Sequence, residues 1–391
     1  MNILSIPSLV GGHSHLIPLY VMHQRYFRRL AYINNFFLVN EQSRSLLAKS
    51  GIDCIDMEYE ISDEMNLHTA SETIFSAERK SFDLLKPDII VEDNCYTSPL
   101  ISEKKGVPRI SIHRTGFFRS IRREYRKSHH CHSAEKGDNG KKSNDLLAFW
   151  NGGPPQPTAS SDIKFLKNYL HAKTKIIPGI PSIELLPENI PDPTSYFFSG
   201  PLTVQDNASG QLLSELKVFF ENNKNKKKVF LTLGLIDNTA VGIYIHYLLN
   251  RGYCVITTVG YEVQSEDAKR RFFYNKFLPL NLISSSVDLV IHQCGSGMYH
   301  YPILHQKPAI TLGTLCYDRE DVALVLQTKG ISKHVPHPND DDAHLAIFIE
   351  YISQFERTEL CNFDHLEQLK NEIHQTMLDF DIEEVIQYTL S

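Results

Sequence analysis

The sequence predicts an α/β protein built from two doubly wound domains. Three observations carry this. The chain has 391 residues, which suits two domains of roughly 100–200 residues each. Short β-branched apolar runs alternate with helix-length amphipathic stretches through both halves. Several of those runs stop abruptly at polar or glycine-containing turns, the place where open parallel sheets hold ligands.

In the first half, strands are expected at Ile3–Ile6, Phe36–Val39, Cys54–Tyr59, Ile89–Glu92 and Arg109–His113. Helices are expected between them at Leu16–Leu30, Glu41–Lys49, Ala70–Leu85 and Ser98–Lys105. In the second half, strands are expected at Val229–Leu233, Cys254–Thr258, Leu289–His292 and Ala309–Leu312, and a last helix at Ile382–Leu390. The polar segment "RREYRKSHHCHSAEKGDNGKKSNDLL", residues 122–147, is expected as a long surface loop. A second polar stretch, ending in the basic run before Val229, holds the domain boundary. The expected domains are 1–208 and 209–375, followed by a C-terminal helical segment, 376–391, that packs back on the first domain.

Composition excludes several classes of function. Hydrophobic residues make up 42% and charged residues 22%, enough for ordinary cores. The formal net charge of -6 argues against general nucleic-acid binding, which needs a basic face. The seven cysteines form no CxxC pair, and an odd count without a framework favours a reduced, cytoplasmic protein. No apolar run approaches the roughly 20 residues that span a bilayer. The opening "MNILSIPSLVGG" is read as a strand running into a loop, not as a signal peptide, because it has no basic leader. The GxSxG elbow and the GxxxxGK[ST] loop are both missing, so nucleophilic hydrolase and P-loop chemistry have no support. "HHCH", residues 129–132, lacks the second ligand pair of a structural zinc site and is read as solvated loop.

Three stretches carry candidate chemistry. "SLVGGHSHLIP", residues 8–18, follows the first strand and offers His13 and His15, either of which could act as a general base. "DIIVEDNCY" ends a strand in Glu92-Asp93, where a carboxylate could orient an imidazole and stabilise its protonated form. "DLVIHQCGSGMYH", residues 288–300, is a strand, a glycine turn and the start of an expected helix, Met298–His305. That arrangement can aim backbone N–H groups and a helix N-terminus at an anion, although an ordinary tight turn would look the same.

The order and spacing of these segments resemble the GT-B glycosyltransferases that use sugar nucleotides to glycosylate small molecules, the plant and bacterial natural-product type. "SHLIP" resembles the family's N-terminal GHxxP, and His15, with its proline three residues on, fits the catalytic base better than His13. "KPDIIVED" resembles the strand whose terminal aspartate, here Asp93, orients that base. "GVPRISI", "IPGIPSIELLP", "YFFSGPL" and "VFLTLG" follow in the family's order. "FLPLNLISSSVDLVIHQCGSGMYHYPILHQKPAI" is similar to the donor motif, and "CYDREDVA" to the segment that contacts the sugar.

The resemblance implies two Rossmann-like domains facing each other across a cleft, with no cofactor or metal. It implies an inverting hexosyltransferase acting on a small-molecule acceptor and a UDP- or dTDP-sugar. His15 and Asp93 would be catalytic. Gly12, His13, Gly234, Phe277, Leu278, His292, Gln293, Cys294, Gly295, Ser296, Gly297, Asp318 and Arg319 would bind the donor. Phe277 would stack on the base, residues 294–297 would offer backbone N–H groups to the diphosphate, and Asp318 would hold sugar hydroxyls.

The chain departs from the family pattern in four places. The diphosphate-binding histidine maps to Gln293, the ribose-binding acid to Tyr301, a loop serine or threonine to Leu235, and a sugar-contacting glutamine to Arg319. Tyr301 implies that dTDP donors are tolerated at least as well as UDP donors. Two alternatives stay open: a transferase of lipid-linked or cell-wall sugars, and a non-catalytic sugar-nucleotide-binding partner of another transferase. A homodimer is also left open.

Overall fold

The computed structural model describes residues 1–8, 14–47, 51–56, 67–93, 95, 97–115, 172–186, 192–204, 208–233, 240–314, 317–339 and 341–391. The chain divides into two compact units, Met1–Val204 with Gln375–Ser391, and Gln205–His374.

The first unit holds a parallel sheet of seven strands: β1 Asn2–Pro7, β2 Asn34–Val39, β3 Asp53–Asp56, β4 Ile89–Asp93, β5 Arg109–Ile112, β6 Thr174–Ile177 and β7 Tyr196–Phe198. Their spatial order is β3-β2-β1-β4-β5-β6-β7, so the winding direction reverses between β1 and β4. Both faces of β4 are buried. Ile89 and Val91 join the apolar cluster under the helix Leu16–Arg25, and Ile90 joins the cluster on the opposite face. Asp93 continues the first alternation and Glu92 the second, because successive strand side chains point to opposite faces. Glu92 is neutralised on its own side by Arg109, 2.7 Å away.

The expected helix over Leu16–Leu30 is shorter. Tyr26 leaves the helical region at φ -122°, ψ -66°, and a 3₁₀ turn, Phe27–Arg29, follows with Phe27 buried in the core. β6 and β7 escape the sequence reading because they are short and carry disguised polarity. Lys175 of β6 is buried, donates to Ser195 Oγ at 2.8 Å and lies over the Tyr196 ring. The C-terminal helix, Ile382–Leu390, is part of this unit. Asp381 caps it by accepting from the Glu383 N–H. Ile382, Val385 and Ile386 enter the first core cluster, each burial being worth roughly 1.5–3 kcal/mol.

The second unit holds six parallel strands: β8 Lys228–Leu231, β9 Cys254–Thr257, β10 Phe272–Tyr274, β11 Leu289–His292, β12 Ala309–Leu312 and β13 Ser332–Val335. Their order is β10-β9-β8-β11-β12-β13, with the reversal between β8 and β11. β10 and β13 are three- and four-residue strands that no sequence period could reveal. Gly313, just after β12, is required by close approach: a Cβ there would stand 2.3 Å from the His337 backbone nitrogen.

Among the described residues, no helix is long and apolar enough to cross a membrane. Nor do three or more His, Cys, Asp or Glu side chains gather there as metal ligands. The segment 122–147, with its "HHCH", lies outside the described residues, as do Gly12, His13, Gly234 and Leu235.

Candidate active site

At the carboxyl edge of the first sheet, three side chains converge beside the reversal point: one from the start of the helix that follows β1, one from the end of β4 and one from just beyond β5. His15 precedes the helix Leu16–Arg25, whose Leu16, Leu19 and Met22 anchor it to the core and fix where the imidazole starts. Asp93 ends β4, paired with Pro7 of β1 on one side and Ile112 of β5 on the other. Its backbone carbonyl accepts from the Ser8 N–H at 2.9 Å, which holds the two strand ends together. Arg114 lies two residues beyond β5.

The Asp93 carboxylate is wholly buried and its two oxygens are shared out. Oδ1 takes His15 Nδ1 at 2.9 Å and Arg114 Nη1 at 2.6 Å, and Oδ2 takes Arg114 Nη2 at 3.0 Å. Burial alone would push this carboxyl's pKa up. The Arg114 guanidinium and the His15 imidazole overcome that and hold it below the ordinary carboxylate value. Asp93 is therefore ionised and can only accept, so His15 places its proton on Nδ1 and leaves Nε2 as the basic nitrogen. Chemically this is an oriented base. Sequence reasoning found two of its members and missed Arg114. The available signal was an arginine just past the end of the strand next to β4, in "RISIHRTG".

The carboxyl edge of the second sheet is built differently. His292 closes β11 fully buried, and burial pushes its pKa down to about 3, so the ring is neutral. Its Nδ1 accepts from the Cys294 N–H at 3.0 Å, and its Nε2 has no hydrogen-bond partner among the described residues. Cys294 sits in the left-handed region at φ 52°, unusual for a residue with a side chain. The N–H of Cys294 is thus committed to His292, a correction to its expected place among the outward-facing donors at 294–297. The N–H groups of Met298 and Tyr299 both turn back to the Gly295 carbonyl. The helix expected over Met298–His305 is regular only over His300–Leu304. Five residues give little macrodipole, so the expected helix contribution to anion binding is small.

Around this turn, Gln293 is buried and lines a recess of about 20 Å³ with Val241, Tyr244, Gly313 and His337. Arg319 lies against the turn: a methyl group on Gly295 would stand 3.9 Å from its guanidinium carbon. Arg319 and Asp318 belong to the first turn of the helix Tyr317–Thr328, and the Asp318 side chain lies outside the described residues. Phe277 is 74% exposed, with Lys276 Nζ 5.8 Å from its ring centre, whereas Leu278 is buried in an apolar cluster. Tyr301 is buried in that cluster too, beside Phe230 and Met298. The structure therefore gathers His292, Gln293, Cys294, Gly295 and Arg319 at one strand edge. Ser296 and Gly297 continue the turn, and Gly297 has open space around its Cα.

No family model matches the chain, and no curated protein matches it by sequence. Solved structures do match over its whole length. UGT71G1 of Medicago truncatula, complexed with UDP-glucose, is 12% identical with a TM-score of 0.72, covering 99% of this chain and 98% of that one. A Polygonum tinctorium UDP-glucosyltransferase that glucosylates indoxyl is 15% identical with a TM-score of 0.69, covering 100% and 98%. The spinosyn forosaminyltransferase SpnP is 15% identical with a TM-score of 0.66, covering 100% of both chains. The fold is that of the GT-B glycosyltransferases. At these identities the likeness speaks for the fold, and the chemistry has to come from the residues themselves.

Proposed function

We propose that this protein is an inverting glycosyltransferase that moves a sugar from a UDP- or dTDP-sugar to a hydroxyl of a small-molecule natural product, without a metal. The observation that carries this reading is the His15–Asp93 contact at the reversal point of the first sheet. His15 Nε2 removes the acceptor hydroxyl proton while its Nδ1–H stays bonded to the ionised Asp93. The acceptor oxygen attacks the anomeric carbon as that carbon's bond to the diphosphate oxygen breaks and the nucleoside diphosphate leaves with the electron pair. On the second unit, the glycine turn after β11 receives the diphosphate and Phe277 stacks on the base. Arg319, lying against Gly295, supplies the positive charge that Gln293 cannot. Tyr301, buried in an apolar cluster with Phe230, stands where an acid would hold the ribose and leaves no acid there, which supports acceptance of deoxyribose donors. A cytoplasmic location fits the seven cysteines, an odd count with no CxxC pair.

The test is product mass after incubation with panels of nucleotide sugars and acceptors. His15→Ala is expected to lower turnover by about 10²–10⁴ while leaving nucleotide binding nearly intact. Turnover surviving in His15→Ala would remove His15 as the base, whereas binding of nucleotide sugars with no transfer by the wild type would displace this reading in favour of a non-catalytic binding partner.

A further inference from the structure

We propose that Arg114 is a positioning residue for the base: by holding both oxygens of Asp93 it aims the carboxylate at His15 and limits how strongly that carboxylate stabilises the protonated imidazole. This rests on the transferase reading for its catalytic meaning, but the electrostatic part stands on geometry alone. The guanidinium reaches Oδ1 at 2.6 Å and Oδ2 at 3.0 Å, a bidentate grip that leaves the carboxylate one orientation. His15 Nδ1 bonds the same Oδ1 at 2.9 Å, so the imidazole shares its oxygen with a permanent cation.

The charge balance follows directly. A lone buried carboxylate would favour the imidazolium strongly, as opposite charges do at this distance. Here Arg114 already neutralises Asp93, and a proton arriving on His15 adds a second positive charge beside the guanidinium. Among the described residues, the other charges nearby have partners of their own. Glu92 points to the other face of the sheet and pairs with Arg109, and Glu184 is engaged by the N–H and hydroxyl of Thr115. His23 and Arg25 sit at the far end of the helix that His15 begins, where Arg25 bonds the carbonyls of Pro201 and Thr203. Arg114 therefore offsets the negative charge that Asp93 presents to the imidazole.

The experiment titrates His15 by NMR in the full-length protein, its ring signal identified by its loss in His15→Gln. In Arg114→Gln the titration midpoint is expected to rise by about one pH unit. The acid limb of the kcat/KM profile should rise with it. In Arg114→Lys, which keeps the charge but loses the two-point grip, the midpoint should stay near wild type. Its kcat should fall about 10-fold with the KM for the nucleotide sugar unchanged. An unchanged midpoint in folded Arg114→Gln would overturn the proposal. Should that variant not fold, Arg114→Lys decides alone, and a wild-type kcat there would overturn it. The midpoint is read without substrate, so a wild type that transfers no sugar yet shows the shift would reject the transferase reading and keep the role of Arg114.

Discussion

The two sheets reverse their winding at equivalent places, between β1 and β4 and between β8 and β11, yet the two carboxyl edges hold opposite chemistry. On the first, a buried carboxylate is saturated by an arginine and a histidine. On the second, the strand ends in a neutral histidine and an amide, then a glycine turn. The difference teaches that one topology can carry two kinds of chemistry at its edge. A proton-handling site needs fixed charges that hold each other in place. A site for an anionic ligand needs backbone room and polar groups that no internal carboxylate has claimed.

The comparison can be broken first by stability. Asp93→Ala leaves Arg114 buried without its counter-ion and should cost about 3–5 kcal/mol. Gln293→Ala removes only a neutral amide and should cost no more than about 1.5 kcal/mol. Chemical denaturation of both variants measures this, and equal losses would mean that the two edges are held by similar forces after all.

A second test sharpens the picture of the first unit as the charge-laden one. Glu78 is fully buried on the helix Leu67–Leu85 and accepts from Thr97 Oγ1 at 2.5 Å. Burial raises its pKa to about 8, the Thr97 hydrogen bond opposes this, and the Glu92 charge adds to it. The folded pKa lies above the unfolded one, so the unfolded chain ionises first. Stability is then full below about pH 4.3 and is lost progressively as pH rises towards 8. Glu78→Gln should remove that loss, stabilising the protein by on the order of 4–5 kcal/mol at pH 8 and by almost nothing near pH 4. A pH-independent effect in thermal unfolding would show that Glu78 is not held neutral.

The smallest effect on the fold is expected at Phe277. With its ring mostly in solvent, Phe277→Ala should change stability by less than about 0.5 kcal/mol. The same change should weaken UDP binding by about 0.5–1.5 kcal/mol if the ring stacks on the base, which calorimetry would read. Unaltered affinity would move the base elsewhere on the second unit.

Much of this was legible in the linear chain. Strands β1, β4, β5, β11 and β12 are short runs rich in isoleucine, valine and leucine, and the polar residues at or just beyond their ends can be read directly as edge residues. Hence His15, Asp93 and the turn at 293–297 stand out in the chain itself. β6, β7, β10 and β13 were missed because β7 and β10 are only three residues long and because Lys175 and Lys333 interrupt the apolar runs of β6 and β13. Sequence alone determined which residue types stand at the strand ends, since burial demands apolar runs and their interruption is visible. Only the tertiary structure decided that Arg114, 21 residues from Asp93, grips the same carboxylate, and that the Cys294 N–H turns inward to His292. Both depend on where parallel strands bring distant residues side by side, and on which of several nearby groups satisfies a buried charge or a buried ring nitrogen. That is a property of the packed sheet and is not written in any local stretch of sequence.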